Sequence, residues 1–230
     1  MLINEIISNV KLSEGPNDPH IFKAVFLAGG PGSGKSYVAG KLLSGYGLKT
    51  VNSDDIYEYL AKKDDLDLSD PDQVYSDKGQ EVRNRAKELT MSRQAGYIDG
   101  RLGLVIDGTG KDPDKIVTQA RQLIKLGYDV AMVFVNTDLE TAIKRDAARK
   151  RTIGEVEATK YWKEVQRNIG RYQQLFGKNN FLVVDNSEGK DYQAETLRAY
   201  RDATKFTNRA PDNPKAQKWI ADEKAKAKRS

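Results

Sequence analysis

The segment of this chain best suited to chemistry is Gly29–Ser36, which fits the pattern G-x-x-x-x-G-K-[ST]. The apolar run Ala24–Ala28 precedes it and a segment with helical spacing follows it, which is the strand, turn and helix context of a phosphate-binding loop. Glycines let backbone N–H groups surround phosphate oxygens, and the helix start adds partial positive charge. The pattern therefore predicts a site for a nucleoside triphosphate.

Each position of this loop has an expected role. Lys35 is expected to contact the β- and γ-phosphates, and the Ser36 hydroxyl is expected to bind Mg²⁺. A glycine turn without a ligand is the alternative, but it would have to occur by chance between a strand and a helix. The residues predicted to bind the nucleotide are Gly30, Pro31, Gly32, Ser33, Gly34, Lys35, Ser36 and Tyr37.

Two carboxylates, Asp54 and Asp107, follow other predicted strands and fall at adjacent strand ends. An acid near the γ-phosphate can hold Mg²⁺ directly or through water, and an acid near the acceptor can take the proton of its hydroxyl group. Both residues also have simpler alternatives. Asp54 lies in Ser53-Asp54-Asp55, which could cap a helix, and Asp107-Gly108 could form a turn.

The basic cluster Lys144–Arg151 contains Arg145 and Arg149, which are four residues apart and are expected to share one helix face. Two guanidinium groups on one face could bind phosphates and offset charge on the transferring phosphoryl group. A solvated basic helix is the alternative. Arg167 and Arg171 have the same spacing. They could line the substrate side of a lid formed by residues 145–170, or they could lie on the surface.

Nearly apolar strands alternate with helical segments along most of the chain, which predicts a parallel sheet covered on both faces. We expect an α/β, three-layer P-loop NTPase fold with a helical lid and helical N- and C-terminal extensions. A loop is predicted at 64–72 and a single polar helix at 73–98. The predicted units are an N-terminal helix and linker (1–20), a kinase domain (21–190) and a basic helical extension (191–230). The five predicted strands are 24–28, 48–52, 102–107, 130–135 and 181–185.

Composition limits the possible chemistry of this 230-residue chain. It has no cysteine, which excludes disulfides and thiolate sites, and its one histidine, His20, lies in a turn-rich stretch. No run approaches the length needed to span a bilayer, so we expect a cytoplasmic protein without a membrane partner. Residues 205–230 carry the whole formal charge of +5, which could attract nucleic acid or simply be solvated.

The order of these motifs resembles that of zeta-toxin-type kinases and phage polynucleotide kinases. The resemblance rests on the P-loop, Asn52-Ser53-Asp54-Asp55 and Val105-Ile106-Asp107-Gly108-Thr109-Gly110. It implies that Asp54 is the general base, that Thr109 contacts substrate and that Arg145 and Arg149 are lid arginines. Zeta toxins have Glu where this chain has Asp107, and the polynucleotide kinases have a substrate-site Arg where this chain has Tyr57.

These features together predict an ATP- and Mg²⁺-dependent kinase that phosphorylates a hydroxyl group. In this interpretation Lys35 binds phosphates, Ser36 and Asp107 organise Mg²⁺, and Asp54 activates the acceptor. The acceptor can be a nucleotide-sugar, a 5′-hydroxyl nucleic-acid end or a small metabolite. A non-catalytic or GTPase-like nucleotide-binding module is the alternative, although the chain has no Asn-Lys-x-Asp segment for guanine recognition.

Overall fold

The computed structural model of the protein describes residues 15–43, 45–149 and 152–229. Its five-stranded sheet has the order β2-β3-β1-β4-β5, and all neighbouring strands are parallel. The predicted N-terminal helix lies outside the described residues, which begin within the linker that follows it. The strands are β1 Lys23–Ala28, β2 Lys49–Val51, β3 Leu104–Asp107, β4 Asp129–Asn136 and β5 Phe181–Asp185.

Helices connect the strands and follow the last one. The parallel order requires crossovers, and helices provide them on both faces of the sheet. In the described part of the chain no helix is both long enough and apolar enough to cross a membrane. The helices are α1 Lys35–Leu43, α2 Ser53–Lys63, α3 Pro71–Tyr75, α4 Asp77–Asp99, α5 Pro113–Leu126, α6 Leu139–Ala147, α7 Glu155–Phe176, α8 Tyr192–Asn208 and α9 Pro214–Ala227.

Two predictions for the region between β2 and β3 were wrong. The predicted loop at 64–72 ends early, because the Asp70 side chain accepts a hydrogen bond from the Asp72 N–H and Pro71 opens α3. The single helix at 73–98 is interrupted at Ser76, whose extended backbone ends α3. The Ser76 hydroxyl then accepts from the Gly79 N–H and caps α4.

Alternating strand residues build one core on each face of the sheet, as expected for a three-layer fold. On one face, Phe26 and Phe134 pack with residues of α5, α7 and α9. On the other, Val25 and Val133 pack with residues of α1 and α8. The predicted α/β fold with a five-stranded parallel sheet is confirmed.

A separate small core lies in the unit formed by α2, α3 and α4. Apolar side chains of α2, including Ile56 and Leu60, pack against Val82 and Ala86 of α4. The unit is inserted between β2 and β3, so the residues that open α2 lie at the carboxyl edge of the sheet.

The basic C-terminal helix α9 is packed on the sheet rather than solvated on all sides. Its docking point is Asp129, whose carboxylate accepts from Lys23 Nζ at 2.7 Å and from the backbone N–H groups of Asp212 and Asn213 at 2.9 and 3.1 Å. Trp219 of α9 packs on the first core. Since β4 begins at Asp129, α9 lies at the amino ends of the strands, away from the P-loop.

Candidate active site

The P-loop conformation depends on two glycines with positive φ angles. Gly32 has φ 72° and Gly34 has φ 78°, in the region that side chains with a Cβ rarely adopt. Space excludes a side chain as well. A Cβ at Gly32 would collide with the Ala142 carbonyl oxygen, and one at Gly34 would collide with the Asn186 amide nitrogen. The loop therefore needs glycine at both positions for two independent reasons.

Neighbouring strand ends hold the loop in place. The Asn186 amide, after β5, donates to the Ser33 carbonyl oxygen at 2.7 Å. On the other side, the Gly29 N–H donates to the carbonyl oxygen of Thr109 at 3.1 Å. Through this backbone bond Thr109, the residue that the resemblance predicts to contact substrate, borders the loop. Its side chain is exposed. Asn186 carried no sequence signal beyond its place after a strand end.

Lys35 joins the P-loop to the ends of β2 and β3. Its ammonium group donates to Asp107 Oδ1, and the Asn52 amide donates to Asp107 Oδ2 at 3.1 Å. The same Asn52 nitrogen lies 3.0 Å from Asp55 Oδ1. Three segments far apart in sequence thus meet in one network, because β3 lies between β1 and β2 in the sheet.

Asp54 is not the N-cap of α2. That role belongs to Asn52, whose side-chain oxygen accepts from the Asp54 N–H at 2.9 Å. The Asp54 carboxylate makes no hydrogen bond with another described residue, and the residue is exposed beside Asp55 at the carboxyl edge of the sheet. The capping interpretation of Asp54 was therefore wrong, and its carboxylate stays available for an acceptor hydroxyl.

Negative charge accumulates around Asp55. Burial raises the pKa of the Asp55 carboxyl, and the neighbouring carboxylates of Asp107 and Asp54 raise it further, whereas Lys35 opposes them. Such a concentration of carboxylates is favourable for binding a cation. The sequence pattern Asn-x-Asp-Asp at a strand end was the available signal for this cluster, although the amide of Asn52 was not predicted to organise it.

The donor set here fits Mg²⁺. Ser36 and Asp107 offer hard oxygen atoms, and Mg²⁺ in nucleotide sites is held by one or two protein groups together with phosphates and water. In the portions of the chain that the structure describes, no group of three or more acidic or histidine side chains is arranged to hold a metal alone. The arrangement suits an ion that arrives with a nucleotide.

Arg145 reaches the P-loop through Asn186. It lies in the last turn of α6, and its Nη1 donates to the Asn186 carbonyl oxygen at 2.8 Å. Arg149 does not share this face, since α6 ends at Ala147. Its side chain is 57% exposed and lies 3.8 Å from Asp146. The predicted common helix face was wrong, because the chain leaves the helix before Arg149.

Arg167 and Arg171 both lie on α7, as their spacing predicted. Arg171 donates to Asp114 of α5 at 2.7 Å, and both partners are exposed. Arg167 is exposed as well. The structure therefore places Arg171 in a surface ion pair between two helices, and brings neither arginine into contact with the P-loop.

Helix α7 crosses the carboxyl edge of the sheet and is held by hydrogen bonds to backbone carbonyls. Trp162 Nε1 donates to the Thr137 oxygen at 2.7 Å, and the Tyr172 hydroxyl donates to the Gly110 oxygen at 2.7 Å. Burial raises the pKa of Tyr172 to about 12, which keeps this donor protonated. The Trp162 backbone also passes close to Gly30, so α7 borders the loop.

Comparisons with known proteins agree with this architecture. The sequence profile of the family described as zeta toxin matches residues 11–201. No curated protein matches the chain significantly. The chain is 14% identical to a structure of the PezAT chromosomal toxin–antitoxin system of Streptococcus pneumoniae, with a TM-score of 0.51 over 99% of this chain and 94% of the other.

Two further structures share the fold at low identity. In the Pnkp1/Rnl/Hen1 RNA repair complex the identity is 19% and the TM-score 0.52, over 68% of this chain. The match spans only 48% of that longer chain. The AvrRxo1-ORF1:AvrRxo1-ORF2 complex with ATP is 13% identical, with a TM-score of 0.53 over 93% of this chain and 83% of the other.

Proposed function

This chain belongs to the zeta toxin family and is a P-loop kinase, and we propose that it transfers the γ-phosphoryl group of ATP to an acceptor hydroxyl with Mg²⁺ as cofactor. The observation that carries this proposal is the network of Lys35, Asp107 and Asn52, with Asp54 beside it. In this network an ammonium group, the carboxylate paired with it and a carboxylate without a hydrogen bond to another described residue lie at one edge of the sheet, which supports the proposed roles.

The donor side uses the P-loop. Backbone N–H groups and Lys35 bind the phosphates, and Arg145, close to the loop, offsets the charge that spreads over the phosphoryl oxygens. Ser36 and Asp107 would hold Mg²⁺. When bound, Mg²⁺ neutralises charge on the β- and γ-phosphate oxygens.

The acceptor side uses Asp54. The acceptor oxygen attacks the γ-phosphorus, the bond from that phosphorus to the bridging oxygen breaks, and ADP leaves with the electron pair. The proton of the hydroxyl group passes to the Asp54 carboxylate. Because this carboxylate makes no hydrogen bond with another described residue, its lone pairs are free to accept that proton.

Three acceptor classes fit this chemistry: a nucleotide-sugar, a 5′-hydroxyl nucleic-acid end and a small metabolite. A structural neighbour from an RNA repair complex supports the inclusion of a nucleic-acid end among them. The basic helix α9 offers a surface for nucleic acid, but it lies at the amino ends of the strands. Nucleic acid held there would contact the protein at a second place, distant from Lys35.

Incubation of the protein with radiolabelled ATP and a panel of these acceptors tests the proposal. Phosphorylation of one class, dependent on Mg²⁺, is expected. Asp54→Asn should lower kcat by about 10²- to 10⁴-fold, the usual contribution of a general base, with ATP affinity nearly unchanged. The matched control is Asp65→Asn, an acid of the same unit beyond the end of α2. Unchanged turnover in Asp54→Asn would remove Asp54 from the mechanism.

Binding of nucleotide without transfer to any acceptor would instead favour the alternative, a non-catalytic or GTPase-like nucleotide-binding module. The two proposals also differ in base preference, since a kinase using ATP needs no selective recognition of guanine. Comparing ATP and GTP affinities by calorimetry, alongside the transfer assay, separates them.

A further inference from the structure

We propose that Arg83 and Tyr57 form a subsite for a phosphate group of the acceptor, beside Asp54. The subsite rests on the proposed function, because its position matters only if Asp54 activates the acceptor. Both residues belong to the α2–α4 unit, and each carries a buried polar atom without a hydrogen-bond partner in the described parts of the chain.

Tyr57 is a buried tyrosine in the small core of the α2–α4 unit. The residue is 3% exposed and packs in the small core with Ile56, Leu60 and Val82. Its hydroxyl oxygen has no partner among the described residues. A phenylalanine would fill the same space without desolvating a hydroxyl group, so the tyrosine is destabilising here unless a ligand completes its hydrogen bond.

Arg83 of α4 presents a guanidinium group on the Tyr57 ring, with its central carbon 5.0 Å from the ring centroid. Its Nε lacks a partner, and no described carboxylate lies within ion-pair distance. The Nε atoms of two other half-buried arginines, Arg101 and Arg209, also lack a partner in the described chain, but each of these side chains donates through another nitrogen. Arg101, Arg145 and Arg209 each donate to a described oxygen acceptor. Arg83 differs from all three in that none of its nitrogens donates a hydrogen bond to a described residue.

The location links this pair to the proposed chemistry. Tyr57 follows Asp54 by three residues on α2, so the two residues are about one turn apart, with Asp54 exposed and Tyr57 buried. Arg83 stacks on Tyr57 from the neighbouring helix. An anion bound by the Arg83 fork beside the Tyr57 ring would lie on the same inserted unit as Asp54.

Phosphate is the anion that suits this pair. The planar guanidinium fork binds two oxygens of a phosphate or carboxylate side by side. A carboxylate has both oxygens occupied by the fork, whereas a phosphate has further oxygens that can accept from the Tyr57 hydroxyl. The phosphate can belong to a nucleotide-sugar or to the backbone next to a 5′-hydroxyl end, and the two sources share this chemistry.

Calorimetric binding of defined probes tests the subsite, with the P-loop saturated by a non-hydrolysable ATP analogue. The probes are uridine diphosphate glucose, a short 5′-hydroxyl oligonucleotide and glucose. Arg83→Gln should weaken binding of at least one phosphate-containing probe by about 10- to 100-fold, because charge-assisted hydrogen bonds are lost. Tyr57→Phe should weaken it by about 3- to 10-fold. The matched control is Arg85→Gln, an exposed arginine on the same helix.

Tyr57→Phe also gives a readout that does not depend on activity. Since no described hydrogen bond is lost, the melting temperature of this variant should equal or exceed that of the unaltered protein. A clear drop would mean that the hydroxyl has a structural role, and it would overturn the subsite.

The outcomes separate the subsite from the kinase activity. If Arg83→Gln binds phosphate-containing probes as well as Arg85→Gln does, the subsite is wrong even where phosphoryl transfer is observed. If Arg83-dependent binding is found but no acceptor is phosphorylated, the subsite stands and the proposed function fails. A response restricted to the nucleotide-sugar or to the oligonucleotide supports the subsite and identifies the source of the phosphate.

Discussion

The ammonium group of Lys35 is paired with the carboxylate of Asp107, and the two side chains are only 16% and 15% exposed. The lysine expected to contact the β- and γ-phosphates therefore already carries a counterion supplied by β3. If Lys35 binds the triphosphate as proposed, a phosphate has to replace the Asp107 carboxylate there, and Mg²⁺ would offer the displaced carboxylate a new partner.

Asp107→Asn should separate the competition of Asp107 with nucleotide for Lys35 from the proposed role of Asp107 in binding Mg²⁺. Without Mg²⁺ the variant is expected to bind ATP about 5-fold more tightly, since roughly 1 kcal/mol of competing ion-pair energy is removed. With Mg²⁺ the gain in affinity should be lost and turnover should fall. Calorimetry with and without the metal measures both quantities. Equal weakening under the two conditions would show that the ion pair does not compete with nucleotide.

Asn52 is expected to position Asp107 while also capping α2, and two substitutions distinguish these roles. Asn52→Ala removes both and should cost about 1 kcal/mol of stability from the lost cap. Asn52→Ser keeps a capping oxygen but lacks the amide that donates to Asp107. We expect Asn52→Ser to retain the melting temperature and to lose turnover as Asn52→Ala does. Recovery of kcat in the serine variant would contradict a positioning role.

Asp55→Asn should stabilise the protein at neutral pH. Burial and neighbouring carboxylates raise the pKa of Asp55, so folding favours its protonated form. In the unaltered protein, the contribution of Asp55 to stability is fully present below the unfolded pKa of about 3.9 and is lost as pH rises through the folded pKa. The gain in Asp55→Asn should thus appear above that pH range and vanish below it. Solvent screening limits it to about a few tenths of a kcal/mol, measurable in urea titrations at several pH values.

Arg145 and Arg149 should differ in their contributions to turnover. Arg145 lies close to the P-loop, so Arg145→Ala is expected to lower kcat by about 10²-fold or more through lost charge stabilisation. Arg149 is exposed beyond the end of α6, and Arg149→Ala should stay within about 3-fold of the unaltered protein, as for a surface charge. Steady-state kinetics compare the two directly, and similar losses would mean that Arg149 reaches the site during turnover.

Asp129 should be essential for the docking of α9. Asp129→Ala leaves Lys23 buried without its partner, and such a loss costs about 3–5 kcal/mol. Asp212→Ala is the control, because its side chain is 70% exposed and forms a surface ion pair with Arg209, which predicts a change below about 1 kcal/mol. Denaturant unfolding measures both variants. Nearly equal midpoints would mean that the buried pair adds no net stability.

The sequence predicted the parts of the fold that depend on local patterns. Apolar runs located all five strands of the described sheet to within about two residues. The break at Ser76 was missed because a capping serine inside a polar helical segment resembles any exposed serine. The end of α6 was missed for a related reason, since no glycine or proline marks it.

The sequence predicted those parts of the site that lie within a single motif, but not the contacts between motifs. The P-loop follows from its own pattern, and acids at strand ends follow from the properties of parallel sheets. The amide bridge from Asn52 to Asp107 depends on β2 lying next to β3, and periodicity does not specify strand order. Arg83 lacks hydrogen-bond partners among the described residues because of the groups that surround it in the fold. The sequence alone does not show which groups these are.

The hydrogen bonds that dock α7 have a consequence for divergence within the family. Trp162, Asn168 and Tyr172 all donate to main-chain carbonyls of the turns after β3 and β4. A carbonyl is present whatever side chain a residue carries, so those turns can change sequence without loosening the helix. The exception is Gly110, where φ is 80°. Apart from Gly110, these turns can therefore change sequence while α7 keeps its position beside the P-loop.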